Sequence, residues 1–163
     1  MDPLVDFDVR LIFAILNGKV SAAISRKLAR DFRRAGLELK PEQWNVLQRL
    51  AYHDGVSQQE LCEVMFKDRP GMVRLVNSMV ETGLVTRELN RFDRRKNIIR
   101  ITDKGKRLQE ASIRVALQTL RGALRGLSLS DIRTTQTVLM TVFENIKTSL
   151  GTKPPTESRV AYD

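Results

Sequence analysis

The sequence predicts a mainly α fold with one small β-hairpin, and three observations carry this prediction. Six segments repeat their apolar residues at the three- and four-residue spacing of amphipathic helices. Several of these segments begin at a capping or proline signal and end near a glycine. The β-prone runs LVTREL and IIRIT flank the polar stretch NRFDRRKN, residues 90–97, and this pattern is typical of a hairpin.

The length and composition are those of one globular domain with helical extensions. The chain has 163 residues, of which 42% are hydrophobic and 29% are charged. Lys and Arg outnumber Asp and Glu by 28 to 19, and this net charge of +9 favours nucleic acid or an anionic surface as a partner. No run approaches the roughly 18 apolar residues of a membrane span, and the N-terminus lacks a signal pattern. We therefore expect a cytoplasmic protein with no membrane partner.

The side chains that carry most enzymatic and metal chemistry are scarce. One cysteine, Cys62, and one histidine, His53, rule out an intrachain disulfide framework and supply too few ligands for a metal site. The sequence has no Gly-rich phosphate loop, no nucleophile elbow and no carboxylate pair that spacing would single out. We expect neither enzymatic activity nor a cofactor. A small core residue is favoured over a redox switch for Cys62, and a surface or capping role for His53.

Two helices are predicted at the start of the chain. Residues 6–34 carry apolar side chains at helical spacing, and Gly36 marks the end of this segment. The second helix begins at Pro41, a residue suited to a first helical turn, and carries Trp44.

A short helix, a short turn and a longer helix follow. SQQE, residues 57–60, matches the capping box S-x-x-E and opens the short helix. KDRPG marks the turn, with Asp68 as the candidate N-cap of the next helix and Gly83 as its end. This is the spacing of a helix-turn-helix.

The hairpin strands are predicted over residues 84–89 and 98–102, and two more helices follow. The fifth helix, residues 103–126, has two apolar stripes and is therefore expected to be buried on both sides. One stripe holds Leu108, Ala111 and Val115, and the other holds Ile113, Leu117, Leu120 and Leu124. The sixth helix opens at Ser128 and carries a single stripe.

Basic residues are concentrated in the middle of the chain. Residues 67–107 contain twelve bases and five acids, a net charge of +7 in about a quarter of the sequence. A helix-turn-helix followed by a basic hairpin is the winged-helix arrangement. In that arrangement one helix enters the major groove of DNA, while the wing lies on the backbone and reaches the minor groove. A solvated face with a purely structural role is the alternative interpretation of these charges.

Four motifs occur in order between residues 57 and 108: SQQEL, RLVNSMVETGLV, DRR and ITDKG. In this order and spacing, the stretch resembles the core of the MarR (multiple antibiotic resistance regulator) family of winged-helix transcription factors. The resemblance implies a homodimeric, sequence-specific DNA-binding regulator that binds a near-palindromic operator, and a repressor released by a small ligand. The alternative is a winged-helix module that contacts protein or RNA.

The resemblance also implies a division of the chain. Residues 1–36 would form an N-terminal dimerisation helix, and residues 37–102 the winged helix-turn-helix DNA-binding region. Residues 103–150 would form the C-terminal dimerisation helices, and residues 151–163 a disordered tail.

Several site residues follow from the resemblance. The base-reading positions of the family fall on Gly71, Val73 and Arg74, where Arg74 matches the usual arginine. Gly71 and Val73 depart from the usual Ser or Thr, so the operator is expected to differ from the family norm. Helical spacing, with Met72, Leu75, Val76 and Met79 inward, places six residues of this helix outward: Arg69, Gly71, Val73, Arg74, Asn77 and Ser78. The wing adds Asp93, Arg94, Arg95 and Lys96, and the resemblance implies that Asp93 orients Arg95.

A small-molecule effector is the other partner that the resemblance implies. The effector pocket of the family lies between the second helix and the dimerisation helices. Trp44 is therefore a candidate lining residue, with a core position as the alternative.

Overall fold

The computed structural model describes residues 3–93 and 95–151, with side chains from residue 11 onward. Arg94 and the predicted tail after Gly151 lie outside the described residues. Helices dominate, and a small three-stranded antiparallel sheet accompanies them, which confirms the predicted fold class. The described elements are α1 (Pro3–Arg34), α2 (Pro41–Tyr52), β1 (Val56–Ser57), α3 (Gln58–Val64), α4 (Arg69–Glu81), β2 (Val85–Leu89), β3 (Asn97–Ile101), α5 (Asp103–Ala123) and α6 (Leu129–Ser149).

Capping residues begin two of the helices where the sequence predicts them. The Ser57 hydroxyl accepts a hydrogen bond from the Glu60 amide at 3.1 Å, and the Ser57 amide donates to the Glu60 carboxylate at 2.7 Å. Ser128 and Asp131 form the same reciprocal pair at the start of α6. Asp68 occupies the N-cap position of α4 in an extended conformation, but its side chain makes no capping hydrogen bond.

β3 is the central strand of the sheet. It pairs with β2 as the predicted hairpin, with Val85 opposite Ile101. On its other side it pairs with β1, where Val56 lies opposite Ile99. The prediction lacks β1, because a strand of two residues is too short to show an alternating pattern.

The apolar core lies almost wholly within the part of the chain from α2 to β3. Its buried side chains come from α2, α3, α4 and the three strands. The end of α1 contributes Leu28 and Phe32, and the middle of α5 contributes Ala116. The two long helices therefore close a core that the winged part provides.

α5 buries a different face from the predicted one. Its buried side is small or polar, and consists of Gly105, Gln109, Ser112, Ala116 and Thr119. In the single chain α5 is buried on one side only, so burial on both sides stays a prediction for the expected dimer. Leu108, Val115 and Leu120 are half-buried, whereas the exposed residues are Ala111, Ile113, Leu117 and Leu124.

The first turn of α5 is fixed against the residues that precede β2. A Cβ atom at Gly105 would lie 2.2 Å from the carbonyl oxygen of Leu84, so no side chain fits there. The Thr102 hydroxyl, which caps α5, donates to the carbonyl of Gly83 at 2.7 Å. The backbone of α5 therefore packs directly against the backbone of residues 83–84, and we call this contact the Gly105 joint.

Residues 11–23 of α1 and most of α6 expose apolar side chains. No residue from 11 to 23 of α1 is buried, and its large apolar side chains are 38% to 57% exposed. On α6, Val138, Met140 and Ile146 are exposed. Within the described ranges no helix is long and apolar enough to cross a membrane.

Candidate nucleic-acid interface

α4 has one buried face and one exposed face. The buried side chains are Met72, Leu75, Val76 and Met79. The predicted outward residues that are exposed are Arg69, Val73, Arg74 and Asn77. Arg74 makes no hydrogen bond or ion pair with any described residue, so its guanidinium group is available to a partner.

Gly71 is buried, and its prediction as an outward residue is wrong. A Cβ atom there would lie 2.5 Å from Oδ1 of Asp68 and 3.1 Å from Cε of Lys67. These two side chains cover the first turn of α4, and Lys67 is held in turn by an ion pair with Glu42 of α2, at 3.2 Å. A side chain at position 71 would therefore have to displace the ends of the Asp68 and Lys67 side chains.

Ser78 also faces inward, contrary to its prediction. Its hydroxyl donates to the carbonyl of Leu75 at 2.8 Å and accepts from the Gln43 amide of α2 at 3.4 Å. Asn77 is exposed, but its side-chain oxygen accepts a hydrogen bond from Arg87 of β2. Arg87 thus ties the wing to α4, a role that its place among the basic residues of the hairpin alone does not reveal.

The wing tip is closed by its own hydrogen bonds. The Asn90 side chain accepts from the amides of Phe92 and Asp93, at 2.8 and 3.2 Å. Oδ1 of Asp93 accepts from both the amide and Nε of Arg95, at 3.1 and 3.3 Å. The Arg95 side chain is 93% exposed, and its contact with the half-buried Asp93 side chain fixes its direction.

Side chains from α4 and the wing meet around a cleft of about 210 Å³. Four predicted residues line it: Arg69, Val73, Arg95 and Lys96. Arg74 and Asn77 lie outside this lining. Gln58 and Gln59 of α3 also line the cleft, and their position in the first turn of the helix-turn-helix is the signal that could have singled them out.

Cys62 lies at the inner side of the same cleft. It is half-buried and packs against the apolar core. Burial raises the pKa of its thiol, which disfavours the reactive thiolate. These features fit a small core residue. Among the described residues, no group of three His, Cys, Asp or Glu side chains is arranged to hold a metal ion.

Trp44 lines a second and larger cavity, of about 750 Å³, between α2, the end of α3 and α5. Its ring also packs on Phe32, with 6.0 Å between ring centroids. The position therefore serves both the core and the cavity. The other lining residues are Asn45, Gln48, Arg49, Tyr52, Val64, Met65, Ile113, Ala116, Leu117 and Leu120.

The helix-turn-helix of α3 and α4, the hairpin wing and the basic cleft between them define a winged helix-turn-helix protein. Residues 37–96, which contain these elements up to the wing tip, match the model of the MarR family. Over this region the chain is similar to the MarR family. This similarity agrees with the expectation that the protein is not an enzyme.

A relative in Thauera aromatica, named as a transcriptional regulatory protein for the hcr operon, is 35% identical over 65 residues. That match covers 40% of the chain and 39% of the relative, so the chain spans about two fifths of the relative's length.

Solved structures share the fold over most of the chain. A mutant MarR from E. coli, complexed with operator DNA, aligns with a TM-score of 0.75 at 20% identity, over 87% of this chain and 99% of that one. CouR from Rhodococcus jostii, bound to p-coumaroyl-CoA, aligns with a TM-score of 0.71 at 20% identity, over 90% and 95% of the two chains. The similarity therefore extends to the long helices outside residues 37–96.

Proposed function

We propose that the protein is a homodimeric, sequence-specific DNA-binding transcriptional regulator, and that it is a repressor released from DNA by a small ligand. The convergence of Arg69 from α4 with Arg95 and Lys96 from the wing on one cleft supports this most directly. A helix and a hairpin that carry bases on one face suit the major groove and the neighbouring phosphates of a duplex. The operator complex of the E. coli protein, which has the same fold, adds support.

The exposed residues take separate roles in this proposal. Arg74 reads a guanine edge or holds a phosphate, and Val73, which is 39% exposed, contacts a thymine methyl group. Arg69 and Lys96 neutralise phosphates, as does Arg94, which lies outside the described residues. Arg95 enters the minor groove. Asp93 orients the Arg95 side chain, and Asn77 holds the wing in place through its hydrogen bond with Arg87. Gly71 and Ser78 take no direct part.

The long helices take the role of dimerisation segments. We assign residues 1–36 and 103–150 to this role, and residues 37–102 to DNA binding. Exposed apolar patches of more than a few hundred Å² are rare on monomers, so we expect an interface above about 1,600 Å². A two-fold axis then places two copies of α4 about one helical turn apart, which requires a near-palindromic operator with half-sites roughly 10 bp apart.

The cavity beside Trp44 is the proposed effector site. Its walls come from α2 of the DNA-binding part and from α5 of the dimerisation part, so an occupant would contact both. The complex of CouR with p-coumaroyl-CoA shows that a protein of this fold can bind a small molecule, and supports the proposal.

Fluorescence anisotropy with the DNA upstream of the gene tests the proposal. We expect salt-dependent binding, tighter to this DNA than to a shuffled duplex. Arg74→Ala should weaken operator binding by about 1–3 kcal/mol, roughly 5- to 150-fold, with a smaller loss on the shuffled duplex. Arg33→Ala, an exposed arginine of α1 outside the cleft, is the control. It should bind like the wild type once sedimentation shows that its dimer is intact.

The pattern of losses distinguishes the alternatives. Equal losses on both duplexes would make Arg74 a phosphate contact. Failure to bind either duplex at low salt would contradict DNA binding and favour the second candidate, a winged-helix module for protein or RNA. The exposed apolar side chains of Val73 on α4 and Phe92 at the wing tip would suit such a contact.

A further inference from the structure

The turn between α3 and α4 contains a residue in an unusual backbone conformation. Phe66 has a φ of 47°, and within the described ranges it is the only non-glycine residue with a positive φ. The left-handed region brings Cβ close to the following carbonyl oxygen, so bulky residues rarely adopt it. Phe66 therefore has a strained conformation that the surrounding structure must stabilise.

The hydrogen bonds around Phe66 are those of a helix end at which glycine is usual. The Phe66 amide donates to the carbonyl of Glu63 at 3.3 Å, and the Lys67 amide donates to the carbonyl of Cys62 at 3.0 Å. This is the Schellman motif, with Phe66 at its left-handed position. Glycines with a positive φ follow α1, α4, α5 and α6. A phenyl ring thus stands where four other helices of this chain have a glycine.

The Phe66 ring contacts α6. It meets the ring of Phe143 edge to face, with 5.3 Å between the centroids and 74° between the planes. Nζ of Lys147, one turn further along α6, lies 5.6 Å from the centroid of the Phe143 ring, and the Lys147 side chain is 10% exposed. Edge-to-face ring pairs and cations over a ring are both attractive, so these contacts offset the strain at Phe66.

The position of Phe143 along α6 allows this contact to fix the direction of the helix. Phe143 lies about 21 Å along the helix axis from Leu129, the first residue of α6. At that first end, α6 follows α5 through a short turn that contains Gly126. A contact this far from the turn limits the tilt of α6 against the winged part much more than a contact beside the turn would.

On its other side, Phe66 belongs to the segment that leads into α4. The next two residues are part of the winged packing: Lys67 pairs with Glu42 of α2 at 3.2 Å, and Asp68 occupies the N-cap position of α4. The Phe66–Phe143 contact therefore joins a proposed dimerisation helix to the start of the proposed recognition helix.

We propose that Phe66 is a positioning residue that, through Phe143, fixes the angle between α6 and α4 and so sets how strictly the protein reads the spacing of the operator half-sites. In the proposed dimer, which α6 helps to form, this angle determines the distance and rotation between the two copies of α4. One extra base pair moves the half-sites apart by about 3.4 Å and rotates them by about 35°. A fixed angle rejects such an operator, whereas a loose angle accommodates it. The inference rests on the proposed dimeric DNA binding, and adds the residue that selects the spacing.

Operators of different spacing test the inference. Footprinting locates the half-sites in the DNA upstream of the gene, and a second duplex carries one base pair inserted between them. We expect the wild type to bind the original spacing about tenfold more tightly than the longer one, because a rigid dimer cannot follow the moved half-site. Phe66→Gly and Phe143→Ala should each reduce this preference to about threefold or less, because α4 can then follow it.

The preference for one spacing separates positioning from a purely structural role. A variant that is only less stable would lose affinity for both duplexes by the same factor and keep the preference. Phe143→Tyr keeps the ring and should keep the preference, as should Thr141→Ala, the control at an exposed position of the same helix. Sedimentation shows that each variant is dimeric before its binding is compared.

Melting temperatures test the contact without DNA. Phe66→Gly relieves the backbone strain but also removes the ring contact. In the Phe143→Ala background the contact is already absent, so Phe66→Gly should raise the melting temperature by more there than in the wild type. Equal shifts in the two backgrounds would show that the rings do not stabilise each other, and would overturn the inference.

Two further results would also overturn it. One is a wild type that binds both spacings equally, and the other is a preference that survives in both Phe66→Gly and Phe143→Ala. Either result leaves operator binding itself intact, so the proposed function would stand. A wild type that does not distinguish the operator from a shuffled duplex would instead contradict the proposed function, and the role of Phe66 in spacing with it.

Discussion

The winged part of the chain and the helices that flank it differ in how much of their apolar surface is buried within the single chain. From Leu39 to Ile101 the apolar residues bury one another, and all but three of the buried core side chains lie there. From residue 11 to residue 23 of α1 no side chain is buried, and in α6 the single buried residue is Lys147. The winged part is therefore complete within one chain.

The flanking helices have apolar surface without a matching core. Helices gain most of their stability in proteins from packing of an apolar face, and an isolated helix is marginal in water. The stability of the two parts therefore depends on different conditions. The core of the winged part is closed by the end of α1 and the middle of α5 within the same chain. The proposed dimer supplies the packing that the rest of α1 and α6 lack, so the order of these helices should depend on protein concentration.

The largest expected effect on stability concerns two glycines of α5. Gly105 packs against the winged part, and Gly122 lies near the other end of the helix. Gly105→Ala should destabilise the protein by about 3 kcal/mol or more, because its Cβ would overlap the Leu84 carbonyl, which is backbone and cannot turn away. Gly122→Ala has no atom within 4 Å of its Cβ and should stabilise by up to about 1 kcal/mol. Urea denaturation measures the unfolding free energy of both variants. Equal changes for the two would contradict the close packing at Gly105.

The next effect concerns assembly. Leu16→Glu, at an exposed position of α1, should weaken dimerisation by about 2 kcal/mol, roughly thirtyfold, since a charge would replace apolar surface at the interface. Phe92→Glu, at a fully exposed wing-tip position, is the control and should leave the dimer intact. Sedimentation velocity across a dilution series decides, and a wild-type chain that is a folded monomer at micromolar concentration would refute the dimer.

A several-fold effect is expected at the wing. Asp93→Ala removes a negative charge near the proposed phosphates, so electrostatics alone would tighten DNA binding. We expect weaker binding instead, by about 1 kcal/mol, because Arg95 loses the two hydrogen bonds that aim it. Titration of operator DNA at fixed salt measures the sign, and tighter binding would show that the wing acts by charge alone.

The smallest effect is expected where α1 meets α5. Hydrogen bonds from Lys27 and Thr119 lower the pKa of Asp31, against the opposing effect of burial. Since the folded-state pKa is the lower one, the contribution of Asp31 to stability is present above the unfolded value of about 3.9 and is lost as the pH falls below it. Asp31→Asn should therefore be less stable than the wild type at pH 7, with a gap that narrows below about pH 4.

Urea midpoints between pH 7 and pH 3 measure this gap. Glu38→Gln, an exposed residue between α1 and α2, is the control and should differ little from the wild type throughout. A gap for Asp31→Asn that stays constant down to pH 3 would contradict the lowered pKa.

The sequence was sufficient for those features that have strong local signals. The capping box at Ser57, the start of α2 at Pro41 and the basic hairpin all carry such signals, and the structure contains each of them. Small residues carry almost none. Gly71 and Ser78 were placed outward because periodicity follows apolar side chains, whereas contacts with Asp68 and Gln43 decide their positions.

The buried face of α5 depends on contacts between distant residues. Gln109, Ser112 and Thr119 are of types that usually face solvent, so only their packing against α1 and α2 reveals their burial.

The close packing at Gly105 fixes the first turn of α5 rigidly against the residues that precede β2 of the wing. With its first turn fixed against Leu84, a helix of 21 residues extends about 30 Å from that point. A tilt of α5 by roughly 5° would then swing one end relative to the other by about 3 Å, close to the rise of one DNA base pair. In the proposed dimer, small changes of angle between the two copies of α5 would therefore produce larger changes in the distance between the two copies of α4.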